Sequence, residues 1–267
     1  MPPSLDPHVL AYYEQGREDA RLAPVAGNEA DSRLEFWRTQ DVLRRALPAP
    51  PARVLDVGGA SGRHAAWLRA DGYDVELLDP VPLHVRQARA KGIPAREGDA
   101  RQLPEDDDSF DVVLVLGPLY HLPARADRVR ALAEARRVVR PGGLVAAATI
   151  NRWAVLHDGL LKGFFFEAHR REHTMKVLRT GHQDSSTDLF TVAYFHDPAE
   201  IPGEFADAGL SRPVPHGLEG AAWLTGGMRE RLDDPEQRAV VLDALREVET
   251  EPALLGVSGH VLTTARA

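Results

Sequence analysis

Asp56, Gly58, Gly59 and Gly62 stand close together in "VLDVGGASGRHAAWL", Val54 to Leu68. A buried strand that runs into a glycine-rich turn and then a helix lets a nucleotide-like ligand approach the backbone, because glycine leaves room where other residues carry Cβ. A dinucleotide would ask for G-x-G-x-x-G at the turn. Counting from Gly58, Ala60 takes the second glycine position and Arg63 the third, so that fingerprint fails. A second chemical candidate lies just past another apolar run, in "FDVVLVLGPLYHL", where Tyr120 and His121 follow the strand end. His121 is placed to act as a general base; the plainer reading has it capping the next segment, with Tyr120 packed on the ligand. "HRREH", His169 to His173, fits H-x-x-E-H, which sets two histidines on one helical face beside an acid. Its surroundings are an insertion in a nucleotide-type fold, so no metal is expected there. His169, Arg170, Arg171 and His173 are expected instead to form a polar wall of the substrate pocket or simply a solvated helix face, with Phe166 of "GFFF" and Tyr194 of "TVAYFHD" expected to face the acceptor.

These residues need a scaffold, and the pattern around them is regular. "RVLDV", "DVELLD", "AREGD", "FDVVLVLG" and "LVAAATI" read as strands alternating with helices "GRHAAWLRADG", "VPLHVRQARAKG" and "ADRVRALAEARRVVR". Such alternation implies a parallel sheet, and the near-continuous apolar run of the fourth strand implies cover on both faces. The fold class is α/β, a doubly wound sheet of seven strands with the last antiparallel, and the whole chain, 1–267, is expected to be a single domain. Residues 1–47 are expected to form a helical cap: one helix from Pro7, capped by Asp6, to about Leu22, then a second carrying Leu34, Trp37, Val42 and Leu43. The segment 151–197 is too long for an ordinary strand-to-helix connection and reads as an inserted lid. Residues 220–256 read as a second helical insertion.

Composition narrows the partners. The chain has 267 residues, no cysteine and a formal net charge of -8. Disulfides, thiolate metal sites and cysteine nucleophiles are excluded. No basic stripe is available to grip a phosphate backbone, so nucleic acid is not expected as a partner. The N-terminus lacks the apolar run of a signal peptide and no stretch approaches the roughly 18 apolar residues of a membrane span. The expectation is a cytoplasmic protein with a small-molecule partner and no membrane association; its oligomeric state is open.

The turn matches acidic-x-G-x-(G/A)-x-G, with Asp56, Gly58, Ala60 and Gly62 in those places, and this resembles the first motif of the class I S-adenosylmethionine-dependent methyltransferases. "LLDP", "EGDARQLP", the fourth strand and "ARRVVRPGGLVAAATI" follow in the family's order, from Arg53 to Ile150. The resemblance implies S-adenosyl-L-methionine as cofactor, with Asp79 on the ribose hydroxyls and Asp99 with the next backbone N–H on the adenine edge. Its implied site comprises Asp56, Gly58, Gly59, Gly62, Asp79, Pro80, Asp99, Ala100, Leu116 and Gly117, with Tyr13 and Arg21 reaching in from the N-terminal helix. Ala60 stands where a glycine is usual, which puts a positive φ there in doubt. Methyl transfer to a small organic acceptor is implied, with His121 and Tyr120 nearest the chemistry. A protein or RNA acceptor, or a binding module without transfer, is the alternative; Phe164 or Trp153 filling the pocket would favour the module.

Overall fold

The computed structural model describes residues 5–21, 29–186 and 188–267, so parts of the expected cap (1–4 and 22–28) and Thr187 of the expected lid lie outside the described residues. The chain opens with α1 (Pro7–Tyr13), α2 (Glu18–Arg21) and α3 (Ala30–Ala46). The core unit follows as β1 (Arg53–Val57), α4 (Arg63–Ala70), β2 (Asp74–Asp79), α5 (Pro82–Ala90), β3 (Ala95–Glu97), β4 (Phe110–Val115), α6 (Arg125–Val138) and β5 (Val139–Ile150). Next come α7 (Ala154–Leu161), α8 (Ala168–Thr180) and a small ladder of β6 (His182–Gln183) with β7 (Ala193–Tyr194). Then α9 (Ile201–Asp207), β8 (Ser211–Gly217), α10 (Met228–Asp233), α11 (Pro235–Val248), α12 (Pro252–Leu255) and β9 (His260–Arg266) complete the chain.

Seven strands form one sheet in the order β3-β2-β1-β4-β5-β9-β8. β1 to β5 pair in parallel, and β9 runs antiparallel to both β5 and β8. The seven-stranded Rossmann-like sheet with its last strand reversed is therefore as expected. β4 shows why its apolar run is continuous: Val113 and Val115 pack with Leu132 of α6 and Phe205 of α9, while Val112 and Leu114 pack with Leu68, Val85 and Leu43 of α4, α5 and α3 on the other face. Both faces are dry, and truncating Leu114 to Ala would cost about 2–5 kcal/mol.

Two local expectations change. The first helix does not run to Leu22: it stops at Tyr13, and Gly16 adopts φ +73 before α2 begins. A glycine in left-handed conformation ends a helix more easily than it continues one. The helix "ADRVRALAEARRVVR" and the strand "LVAAATI" do not leave "PGG" between them either: α6 ends at Val138 and β5 starts at Val139, taking in Pro141 to Gly143, with a register shift opposite Phe110. Among the described residues no helix is long and apolar enough to cross a membrane.

Candidate functional site

The carboxyl ends of β1 to β4 open onto a cavity of about 410 Å³, covered by α1 and α2 and walled at the far side by α3, Leu218 and His260. Ligands bind at this edge of open α/β sheets, where strand order reverses, here between β1 and β4. Of the expected cofactor residues, Asp56, Gly58, Gly59, Asp79, Pro80, Asp99, Ala100, Leu116, Gly117, Tyr13 and Arg21 all line it. Gly62 does not. At φ +81 it begins α4, and a Cβ there would meet Ile93 and Ala88, so its role is the close packing of α4 on α5.

The turn after β1 is built for close approach. A Cβ on Gly58 would lie 2.5 Å from the Pro118 ring, and one on Gly59 2.5 Å from Asp56 Oδ2. Ala60 takes a positive φ of +48 after all, in the left-handed region, and its N–H donates to Asp79 Oδ2 at 2.9 Å. The Val81 N–H donates to the other Asp79 oxygen at 2.8 Å, and His84 Nδ1 lies 3.1 Å from it. Asp79 thereby fixes the turn while bordering the cavity. Asp99 accepts the Arg101 backbone N–H at 2.8 Å and its guanidinium at 2.7 Å. Asp56 is fully buried and, among the described residues, neither carboxylate oxygen has a hydrogen-bond partner; burial, and then Asp79, raise it to about 7.

The cavity fits a cationic nucleoside. Its lining carries the carboxylates of Asp6, Glu18, Glu35, Asp56, Asp79, Asp99 and Asp127 against the guanidiniums of Arg21 and Arg101, a balance that repels phosphate and attracts a sulfonium. The unpartnered Asp56 beneath the turn is the group such a cation would satisfy. Arg21, expected to reach in to the cofactor, has its guanidinium held by Glu18 at 2.8 Å and Glu35 at 2.7 Å.

His121 and Tyr120 line the cavity, and the surroundings of His121 favour the plainer of its two readings over a general base. Its Nδ1 lies 3.1 Å from the Val192 carbonyl, which only a proton on Nδ1 can satisfy, and its Nε2 lies 2.7 Å from the Tyr13 hydroxyl, which therefore donates. Both ring nitrogens are taken. Burial lowers its affinity for a proton to about 4, while burial raises the Tyr120 and Tyr13 phenols above their usual range.

The expected substrate wall lies elsewhere. His169 is exposed, Phe166 is 72% exposed, and Arg170 pairs with Glu167 and Asp188 at the surface. His173 is buried against Gln183 Oε1 at 2.9 Å. Tyr194 lies under the Arg128 guanidinium, 3.8 Å from its ring centre, and donates to Glu200. The physical reason is that α8 spends its apolar face on a satellite core of Val155, Val177, Ala193 and Phe195. From 151–197 it is Phe190 and Val192 that approach the site, Phe190 stacked 5.8 Å from His121 and edge-on to Tyr12.

Sequence reasoning missed the far wall: Glu35 and Thr39 on α3, His64 on α4, His84 on α5, and His260, which faces Glu219. Among the described residues, Glu35, Glu219 and His260 bring potential metal ligand atoms within 4.8 Å of one another. His64 accepts from Trp67 Nε1 at 3.1 Å and burial lowers it to about 4. His260 behaves in the opposite way: burial opposes its charge, but Glu35 and Glu219 outweigh burial and hold it near 9. No local motif announces this wall, whose members come from opposite ends of the chain.

Residues 55–147 match the family model of a methyltransferase domain. An uncharacterized methyltransferase of Mycobacterium tuberculosis is 40% identical over 99 residues, 36% of this chain and 39% of that protein, so the chain matches well under half the length of that relative. The ubiquinone biosynthesis O-methyltransferase of Methylobacterium nodulans is 30% identical over 174 residues, 63% of each chain. A crystal structure of a SAM-dependent methyltransferase from Thermotoga maritima superposes with a TM-score of 0.59 over 97% of this chain and 98% of that one, at 18% identity, a likeness of fold.

Proposed function

The chain belongs to the class I S-adenosylmethionine-dependent methyltransferases, and from that premise we propose that it transfers a methyl group to a small organic acceptor held in the covered cavity. The observation that carries this reading is the cavity itself, acidic, closed over by α1 and α2, and extending past the β1 turn to a polar far wall. S-adenosylmethionine, when bound, supplies an electrophilic methyl group on a sulfonium. Asp79 is the group for the ribose hydroxyls and Asp99 with the Ala100 backbone the group for the adenine edge. Asp56 sets negative charge under the turn. The chain's remaining task is to align the acceptor, exclude water and remove a proton.

Two observations favour transfer to a small acceptor over a binding module or a macromolecular acceptor. Trp153 and Phe164, whose entry would have filled the pocket, do not line it. The relative named as an O-methyltransferase of ubiquinone biosynthesis supports an oxygen as the methylated atom. The test is calorimetry with S-adenosylmethionine and S-adenosylhomocysteine on the wild type and on Asp99→Ala. Micromolar binding that weakens about tenfold or more in the variant is expected, equivalent to one charge-assisted hydrogen bond. A wild type that binds neither nucleoside refutes the proposal.

A further inference from the structure

We infer that His260, oriented by Glu219, is the catalytic base that takes the proton from a hydroxyl of the methyl acceptor, an acceptor class that includes simple phenols. This rests on the methyl-transfer reading above. Four histidines line the cavity. His121 has both nitrogens engaged, His64 has Nδ1 held by Trp67, and His84 faces Asp79 with Nε2 sealed from solvent. His260 differs in each respect. Its Nδ1 lies 2.6 Å from Glu219 Oε1, which keeps a proton on Nδ1, so that once the imidazole is neutral its lone pair is on Nε2. Among the described residues Nε2 has no hydrogen-bond partner, and the side chain keeps 21% of its surface accessible in a wall of the cavity.

Glu219 is built to hold that orientation. It is fully buried, and besides the imidazole it accepts the Ser258 hydroxyl and the His260 backbone N–H, each at 2.8 Å. Its two oxygens are thus committed to one geometry, as in a carboxylate–histidine pair that orients a base. The topology puts the pair in the right half of the site. His260 opens β9 in register with Ile150 at the end of β5, so it lies on the same carboxyl edge as the β1 turn, on the other side of β4. The expected cofactor residues of the sheet follow β1 to β4, Leu116 and Gly117 being the last of them; the acceptor's side is left to β5, β9 and the end of β8.

The charges facing His260 are Glu219 after β8, Glu35 from α3, 3.9 Å from Nδ1, and Arg21 from α2, which pairs with Glu35 and Glu18. The balance of these groups holds the imidazole near 9. Simple phenols offer a hydroxyl whose pKa, about 10, puts its proton within reach of a histidine base, and they serve as the probes. In the step, the acceptor oxygen bonds to the methyl carbon, its proton passes to Nε2, and the electron pair of the broken carbon–sulfur bond stays on sulfur. The proton then leaves His260 to solvent.

The test uses the full chain. S-adenosylhomocysteine binding is measured first; then its formation from S-adenosylmethionine is followed with catechol and 4-methoxyphenol as acceptors, from neutral pH to above 9, in the wild type, His260→Gln and Glu219→Gln. Turnover of at least one phenol is expected, with kcat/KM rising about tenfold per pH unit below the break near 9. His260→Gln should lose about 100-fold in kcat while binding S-adenosylhomocysteine within about threefold of wild type. Glu219→Gln should keep more activity and move the break to lower pH, a shift that a merely structural role would not produce. The inference falls if the wild type binds S-adenosylhomocysteine but turns over neither phenol, if His260→Gln keeps wild-type kcat and pH profile, or if Glu219→Gln leaves the break in place. It also falls if a chelator abolishes turnover and a divalent cation restores it, because Glu35, Glu219 and His260 would then be ligands. Absence of nucleoside binding brings down the methyl-transfer reading and this inference with it.

Discussion

Among the described residues, Asp56 is a carboxyl group with two unsatisfied oxygens, raised to about 7 by burial and by Asp79. A carboxyl raised in the folded state binds its proton more tightly there than in the unfolded chain. Its favourable contribution is fully present below the ordinary carboxylate value near 4 and is lost as pH rises through about 7. Asp56→Asn removes this titration. The melting temperature of the ligand-free variant should exceed wild type at pH 8, by an amount equivalent to at most about 4 kcal/mol, and the gap should shrink steadily as pH falls toward about 4. The same residue gives a binding signature. A sulfonium in the cavity favours the ionised form, so S-adenosylmethionine affinity should rise with pH through about 7, while uncharged-sulfur S-adenosylhomocysteine gains less. Calorimetry across that range decides the matter: equal and flat affinities would show that Asp56 does not sense the cofactor's charge. Asp56 was legible in the sequence because strand, acid and glycine turn are contiguous. That its oxygens lie beneath the turn rather than at the cavity surface was not, because burial depends on what packs from β2.

The α1 and α2 pair covers the cofactor side of the cavity through specific ties. α1 has seven residues, too few for a stable isolated helix, so contacts must hold it. Its Tyr13 hydroxyl donates to His121, and Tyr12 packs edge-on against Phe190. On α2, Asp19 accepts from Ser61 at 2.6 Å and pairs with Arg63 at 3.2 Å and with Lys91, while Arg21 reaches Glu35. These ties place the cap over the β1 turn, where a bound nucleoside must enter and leave. Tyr13→Phe keeps the ring and deletes one hydrogen bond, worth about 1 kcal/mol. Stopped-flow exchange of S-adenosylhomocysteine should show dissociation accelerated about fivefold, with little change in melting temperature. Unchanged exchange would mean that the cap does not gate the site. The sequence placed Tyr13 and Arg21 near the cofactor but read one unbroken helix, because the apolar spacing continues through Tyr12 and Tyr13 and gives no notice of how Gly16 turns the chain.

Across the whole molecule, what was legible follows sequence distance. The five parallel strands are visible because each carries its own apolar run between turn residues; the last strand is visible in the same way, but its reversal follows from the family resemblance and not from its residues. The Glu219–His260 pair and the α3 side of the cavity were not visible, because their partners meet only when β8 and β9 close the sheet's edge and α3 folds across it. The same closure is fastened by an ion network away from the cavity. Arg38 of α3 is wholly buried and pairs with Asp41 and with Glu249, which follows α11; Arg45 adds a bond to Glu249 Oε1 at 2.7 Å, and the Glu249 carbonyl accepts the Gly217 N–H of β8 at 2.7 Å. Burial alone would raise Glu249, but His216, Arg45 and Arg38 outweigh it and hold it well below the usual carboxylate range. Its contribution to stability is therefore present above about pH 4.5 and lost as pH falls through its depressed value. Glu249→Gln leaves the buried Arg38 with one carboxylate instead of two. Breaking a buried pair in this way costs about 3–5 kcal/mol, or roughly 10 °C in melting temperature for a chain of this size. The difference from wild type should be widest near neutral pH and narrow in acid. Because α3 also carries Glu35 and Thr39 to the cavity wall, acceptor turnover should fall at temperatures where the variant is still folded, while S-adenosylhomocysteine affinity, set by β1 to β4, stays close to wild type. A variant as stable as wild type at neutral pH would show that α3 is held by its apolar face on the sheet and that the network adds nothing.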